Sequence, residues 1–198
     1  MTTHNASPAT RPAPAGRASG AAEHARPLGL RFIVAVTNEP WQDHDAARTA
    51  ERWATLCAEH GDPGLGAAVT HGPALHDAVA EIRALFSETA PHAAARTLNA
   101  ALAAAGCPPE LVQLPDGRWA TRPSLPNDAP AATVYGTLAA AALADWFAER
   151  GRPAWGRCAA ARCDQVFLDE GRRAPQRFCS PSCATRTRVA AHRLSTAG

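Results

Sequence analysis

Four cysteines near the C-terminal end are the side chains of this sequence best suited to chemistry. They form two close pairs, Cys158 with Cys163 and Cys179 with Cys183, and fifteen residues lie between the pairs. A tetrahedral metal ion needs four ligands brought together in this way, because each close pair supplies two sulfurs from one short turn of chain. The spacing therefore predicts that these four cysteines hold one Zn²⁺ ion.

The local sequence gives this metal site a scaffold. In 179-CSPSC-183, Ser180 is a good N-cap and Pro181 fits the first position of a helix. A helix N-terminus also favours thiolate over thiol. The apolar residues 166–168 predict a short strand, and 169–175 predict a turn. Strand, turn and helix around two cysteine pairs indicate a small treble-clef-like zinc fold.

Three other uses of the cysteines compete with zinc. A disulfide framework suits a secreted chain, but residues 1–27 have no apolar segment of the kind a secretion signal requires. A redox centre usually has two cysteines separated by two residues, a spacing that is absent. An iron–sulfur cluster also takes four thiolates, although the linker and the helix start favour zinc. Four thiolates leave no open position for water or substrate, so the zinc is expected to be structural.

The positive charge of the chain is concentrated beside these cysteines. All 20 basic residues are arginine, and the net charge is +2. Nine arginines and three acidic residues lie from 151 to 198, which gives this end +6, while residues 1–150 carry −4. A basic end on an acidic body predicts a polyanionic partner such as nucleic acid.

A short basic helix is expected after Cys183, over residues 184–195. Arg186 and Arg193 share one of its faces, and Arg188 and His192 share a neighbouring face. Guanidinium groups on a rigid module suit contacts to phosphates and to base edges in a groove. The alternative is an ordinary solvated arginine face. The residues predicted to contact nucleic acid are Arg172, Arg173, Arg177, Arg186, Arg188, His192 and Arg193.

The rest of the chain predicts an α+β fold, with a mostly helical N-terminal domain and a few short strands. Residues 1–27 lack large apolar side chains and are expected to be disordered. We expect two domains, the helical domain over residues 28–151 and the zinc finger over residues 152–198. Within the first domain, the apolar run from Phe32 to Val36 predicts a buried strand. Helices are predicted within 43–61, 73–89, 91–106 and 131–151, the last of them central, and a hairpin within 111–122.

The sequence favours a binding function over catalysis. It contains no phosphate-cradling glycine loop, nucleophile elbow or zinc-protease motif, so an enzyme is not expected. No apolar run approaches the roughly 20 residues needed to cross a bilayer, so no membrane partner is expected. The cytoplasm is the expected location.

Residues 158–193 resemble the CGNR-type zinc finger, a C-terminal module of bacterial proteins. The four cysteines match its ligands, and 167-FLD-169 and 178-FCS-180 are similar to segments beside its cysteine pairs. This sequence has Ala184 and Thr185 where the family signature has Gly and Asn, and it shares the Arg of the signature, Arg186. The resemblance implies one structural zinc ion.

The helical body resembles the ABATE domain that usually accompanies this finger. Its members open with a strand that ends near an Asn, here Asn38, and carry a hairpin before the last long helix, here 111–122. The resemblance implies a stress-responsive transcription regulator. Together with the basic helix, this leads us to expect DNA binding, and a further protein or a second copy of the chain is another expected partner. A zinc-stabilised protein-interaction module without nucleic-acid binding is the alternative.

Overall fold

The computed structural model describes residues 28–68, 73–113, 117, 119–126, 128–171 and 174–196 and is mostly helical. Residues 1–27, predicted to be disordered, lie outside the described residues. The helices are α1 (Leu30–Asn38), α2 (Ala46–Glu59), α3 (Pro63–Ala68), α4 (Ala74–Leu85), α5 (Pro91–Ala105), α6 (Ala131–Arg150) and α7 (Pro181–Thr196), with a 3-10 turn at Trp41–Asp43. The strands form two antiparallel hairpins, β1 (Pro109–Gln113) with β2 (Trp119–Pro123), and β3 (Trp155–Arg157) with β4 (Val166–Leu168).

Helix α6 is the centre of the molecule, as its sequence predicts. It packs against α1, α4, α5 and β2. Because it is surrounded, it buries apolar side chains on more than one side, among them Val134, Leu143 and Trp146. It ends at Gly151, whose backbone is left-handed (φ 66°), a conformation that glycine adopts without strain.

The segment predicted as the first strand is a helix, so that prediction was wrong. Residues Leu30, Ile33 and Thr37 are buried together, as are Phe32 and Val36, and both spacings are those of a helix face. A short apolar run cannot be assigned to strand or helix by periodicity alone. Packing against α2, α4 and α6 outweighs the modest helix penalty of β-branched side chains.

The remaining predicted elements are confirmed within a few residues of their expected ends. These are helices α2, α4, α5 and α6, the hairpin β1–β2, strand β4 and the helix that begins at Pro181. No helix in the described ranges combines the length and apolar character that crossing a membrane requires.

The C-terminal hairpin β3–β4 shares the core of the helical body. Trp155, Val166 and Leu168 are buried in the same cluster as the large side chains of α1 and α6. The indole N–H of Trp155 donates to the carbonyl of Leu85 (3.1 Å), the last residue of α4, and to that of Glu88 (3.2 Å), just beyond the helix. The predicted domain boundary between residues 151 and 152 therefore separates segments that share one continuous packed core.

Two polar side chains of the body hold the C-terminal residues at this seam. The Asn38 amide pairs with the backbone of Val166, donating to its carbonyl at 3.0 Å and accepting from its N–H at 2.8 Å. Arg83 donates to the Asp164 carbonyl at 2.7 Å and also to the Thr37 carbonyl. Asn38 thus satisfies both backbone groups of an edge strand, and Arg83 joins α1 to the cysteine-rich segment.

Candidate metal centre

The four predicted cysteine ligands meet at one point. All four Sγ atoms lie within 4.8 Å of one another. The Sγ atoms of Cys163, Cys179 and Cys183 form a triangle with sides of 3.7, 3.7 and 3.8 Å. Zinc–sulfur bonds of about 2.3 Å in a tetrahedron place neighbouring sulfurs about 3.8 Å apart. The donor set and its spacing therefore fit a tetrahedral zinc ion.

Two local backbone arrangements position these ligands. Ser180 caps α7, since its Oγ accepts the N–H of Cys183 at 3.3 Å, and Cys183 then lies in the first turn of the helix. On the other side, Arg162 has a left-handed backbone (φ 59°) in the turn that brings Cys163 back toward Cys158. The Ser-Pro helix start seen in the sequence is thus a structural part of the metal site.

The four sulfurs do not share one tendency to lose a proton. Burial raises the pKa of Cys158, but hydrogen bonds from the N–H groups of Cys179 and Ala160 and from the thiols of Cys163 and Cys179 together lower that pKa to about 7. Burial and the neighbouring sulfurs raise the pKa of Cys179 to about 12. Several thiolates coexist here only when a cation balances them, so metal binding displaces protons from the site.

Almost nothing besides the cysteines fills the interior around the site. A separate small core contains Cys158, Cys183 and Ala160, with Cys163, Cys179 and Phe178 packed against it. An interior this small supplies little hydrophobic stabilisation, so a metal ion is needed to hold these segments together.

The family of this module follows from a direct comparison. Residues 155–194 match the family model of the CGNR zinc finger. The match covers 40 of the 198 residues and includes all four cysteines. No curated protein matches the chain. Together with the sulfur geometry, the match shows that this zinc finger holds one structural zinc ion.

Arg186 lies against the zinc ligands. Its Nη2 donates to Cys183 Sγ at 3.2 Å. Four thiolates and one Zn²⁺ carry a net charge of −2, which a guanidinium hydrogen bond partly offsets. The residue kept from the family signature therefore supports the metal site, and its predicted contact with nucleic acid stays a prediction.

The substitution Arg186→Gln is expected to weaken zinc binding about tenfold, because a hydrogen-bonded partner of a metal ligand is lost. Competition with a chromogenic zinc chelator measures this directly. Arg186→Lys should restore part of the affinity by keeping the charge. Arg188→Gln, on the same helix, is the matched control and should leave zinc affinity unchanged. Equal zinc affinity in Arg186→Gln and wild type would show that the contact is incidental.

The other predicted contact residues lie around the zinc finger. Arg177 is exposed, with its guanidinium 5.8 Å from the centre of the Phe178 ring. Arg188, His192 and Arg193 are exposed along α7. Arg172 and Arg173 lie outside the described residues. The structure thus brings the four ligands together and arranges the described basic residues outside them.

The sequence did not reveal the contacts that join the zinc finger to the body. Asn38, Arg83 and Trp155 make their contacts across 67 to 128 residues of chain, and no local pattern reports such pairs. The available signal was the apolar pair Ala154 and Trp155, a few residues before the first cysteine, which would need a core to pack against.

Proposed function

We propose that this protein is a cytoplasmic, DNA-binding transcription regulator in which the zinc finger presents α7 to a groove of the double helix. The helical body then senses a signal or holds a partner, as its resemblance to the stress-responsive ABATE proteins implies. No catalytic role is included. The observation that carries the proposal is the exposed arginine-bearing surface of α7.

The exposure of α7 supports this role. Every residue from Arg188 to Arg193 is exposed, so the outer half of the helix receives little packing from the rest of the chain. Helices of this length are marginal in water without such packing. The zinc site anchors its first turn through Cys183, and a partner that covers the outer turns would stabilise the remainder. The major groove of DNA, about 12 Å wide, accepts a single α-helix.

The charge of this surface supports a polyanion as that partner. Arg188 and Arg193 are exposed, and within the described residues Arg188 donates to the neutral hydroxyl of Thr185 at 3.3 Å. Guanidinium groups that are exposed and hydrogen-bonded at most to a neutral group can contact phosphates at little desolvation cost. The two arginines lie on different faces of the helix, as contacts to both walls of a groove require.

A protein-interaction role is the second candidate, and a different surface favours it. Leu111 and Trp119 are 69% and 65% exposed. Trp119 pairs with Gln113, which lies two residues from Leu111 on β1, so both side chains lie on the same face of the hairpin β1–β2. Exposed aromatic side chains of this kind are typical of protein contacts. Under this alternative the zinc finger is a structural clip.

Salt-dependent DNA binding separates the two candidates. The full-length protein should bind a fluorescent random-sequence duplex, and log Kd should rise with log salt concentration. Each phosphate contact contributes roughly 0.9 to that slope. The double substitution Arg188→Glu and Arg193→Glu should lower affinity at low salt at least about tenfold and flatten the slope. Fluorescence anisotropy from low to moderate salt measures both quantities.

A second double substitution controls for net charge. Arg31→Glu with Arg96→Glu changes the charge by the same amount at exposed positions of α1 and α5. It should retain most of the DNA affinity. Absence of binding at low salt, or equal losses in both double variants, would rule out α7 as the DNA-contacting surface and leave the protein-interaction role.

A further inference from the structure

A cleft of about 660 Å³ lies at the seam between the helical body and the zinc finger. One wall comes from the connection between α4 and α5, and the other from β3, β4 and residues 175–177. Clefts of this size between two parts of a protein are common sites for small ligands. The function proposed above makes no use of this one.

The apolar part of the lining includes three aromatic residues, each at most 6% exposed, and three prolines: Phe86, Trp155, Phe167, Pro91, Pro153 and Pro175. Phe86 and Trp155 meet edge to face with ring centroids 6.5 Å apart, and Phe167 lies on the neighbouring strand β4, where it pairs with Gly156. The indole N–H of Trp155 already donates to Leu85 and Glu88. The ring of Phe167 packs on the backbone of Gly156, where an added Cβ would stand 3.1 Å from the ring. The aromatic surface is therefore fixed before any ligand binds.

The charged side chains of the lining leave a positive excess. Asp169 is 2% exposed, and Arg152 (2.7 Å) and the N–H groups of Gly171 and Gln176 satisfy its carboxylate. Burial raises the pKa of Asp169, but these donors outweigh it, so the pKa is lowered and the ion pair persists. Two further arginines, Arg157 and Arg177, line the cleft without a carboxylate inside it.

The two remaining arginines are available to a ligand. Arg157 lies 3.6 Å from Asp164, whose side chain is 89% exposed, and such a pair contributes little in water. Arg177 lies beside the Phe178 ring and is exposed. A ligand with an anionic group and a planar apolar part would satisfy both the guanidiniums and the apolar lining. A cation would meet only repulsion from these arginines.

We propose that this cleft binds a small aromatic anion, such as a carboxylate or a sulfonate, between the helical body and the zinc finger. The test is calorimetric titration of the full-length zinc-bound protein with 2-naphthoate as the probe. Saturable binding at one site per chain is expected. The neutral amide of the same ring, 2-naphthamide, should bind about tenfold more weakly because it lacks the charge.

Three variants locate the binding. Arg177→Gln should weaken naphthoate binding about tenfold, and Ser87→Trp, which fills the cleft from its rim, should abolish it. Arg96→Gln, at an exposed position of α5, is the control and should bind as the wild type does. No saturable binding at millimolar naphthoate, or binding unchanged by Arg177→Gln and Ser87→Trp, would overturn the proposal. The titration contains no DNA, so its result is independent of the proposed function.

Discussion

The substitution Cys183→Ser is expected to abolish zinc binding and to release α7 from the protein. Zinc binding supplies roughly 10–16 kcal/mol in zinc-finger peptides at neutral pH, far more than the small core around the cysteines can replace. The hairpin β3–β4 should stay in place, because Trp155, Val166 and Leu168 belong to the main core and Asn38 holds Val166. The loss is therefore expected to be local.

Limited trypsin digestion reads out this local release. Cleavage after Arg177, Arg186 and Arg188 should accelerate by orders of magnitude in Cys183→Ser, while the body remains resistant. Native mass spectrometry should show one zinc per chain in the wild type and none in the variant. Cys107→Ser is the control, since that half-buried cysteine lies outside the cluster. An unchanged digestion pattern in a zinc-free variant would show that the metal does not hold α7.

The second large effect is expected at Trp155, the side chain that joins the zinc finger to the body. Trp155→Ala should lower the free energy of unfolding by about 3–5 kcal/mol, as removal of a buried aromatic side chain does. Trp155 is 5% exposed, contacts the rings of Phe86 and Phe147, and donates to two carbonyls at and just beyond the end of α4. Urea unfolding followed by circular dichroism measures the change.

Trp119→Ala is the matched control for this experiment. Trp119 is 65% exposed on the hairpin β1–β2, so its removal should change the free energy of unfolding by no more than about 0.5 kcal/mol. If Trp155→Ala and Trp119→Ala had similar effects, the shared core between zinc finger and body would be contradicted.

The metal site was predictable from sequence because its determinants are local. Two cysteine pairs, a Ser-Pro helix start and a three-residue apolar strand each act within a few positions, and together they define the four ligands and the start of α7. The amphipathic helices were predictable for the same reason, since the spacing of Trp53 and Cys57, or of Val79 and Ile82, needs no distant partner.

The features that sequence reasoning missed depend on distant contacts. The run from Phe32 to Val36 forms a helix because its surroundings in the core accept one, and β-branched composition alone favoured a strand. The contact of Arg186 with Cys183 Sγ depends on which rotamer a long side chain adopts near the metal. The cleft arises where two segments far apart in sequence meet.

DNA binding is expected to require zinc, because the zinc site anchors the first turn of α7. Anisotropy titrations of a fluorescent duplex should compare the zinc-bound protein, the chelator-stripped protein, and the stripped protein after one equivalent of Zn²⁺, all at the same salt concentration. We expect binding by the first, loss of binding by the second, and recovery by the third. Equal binding by the zinc-bound and stripped forms, or no binding by the zinc-bound form at low salt, would contradict zinc-dependent DNA binding through α7.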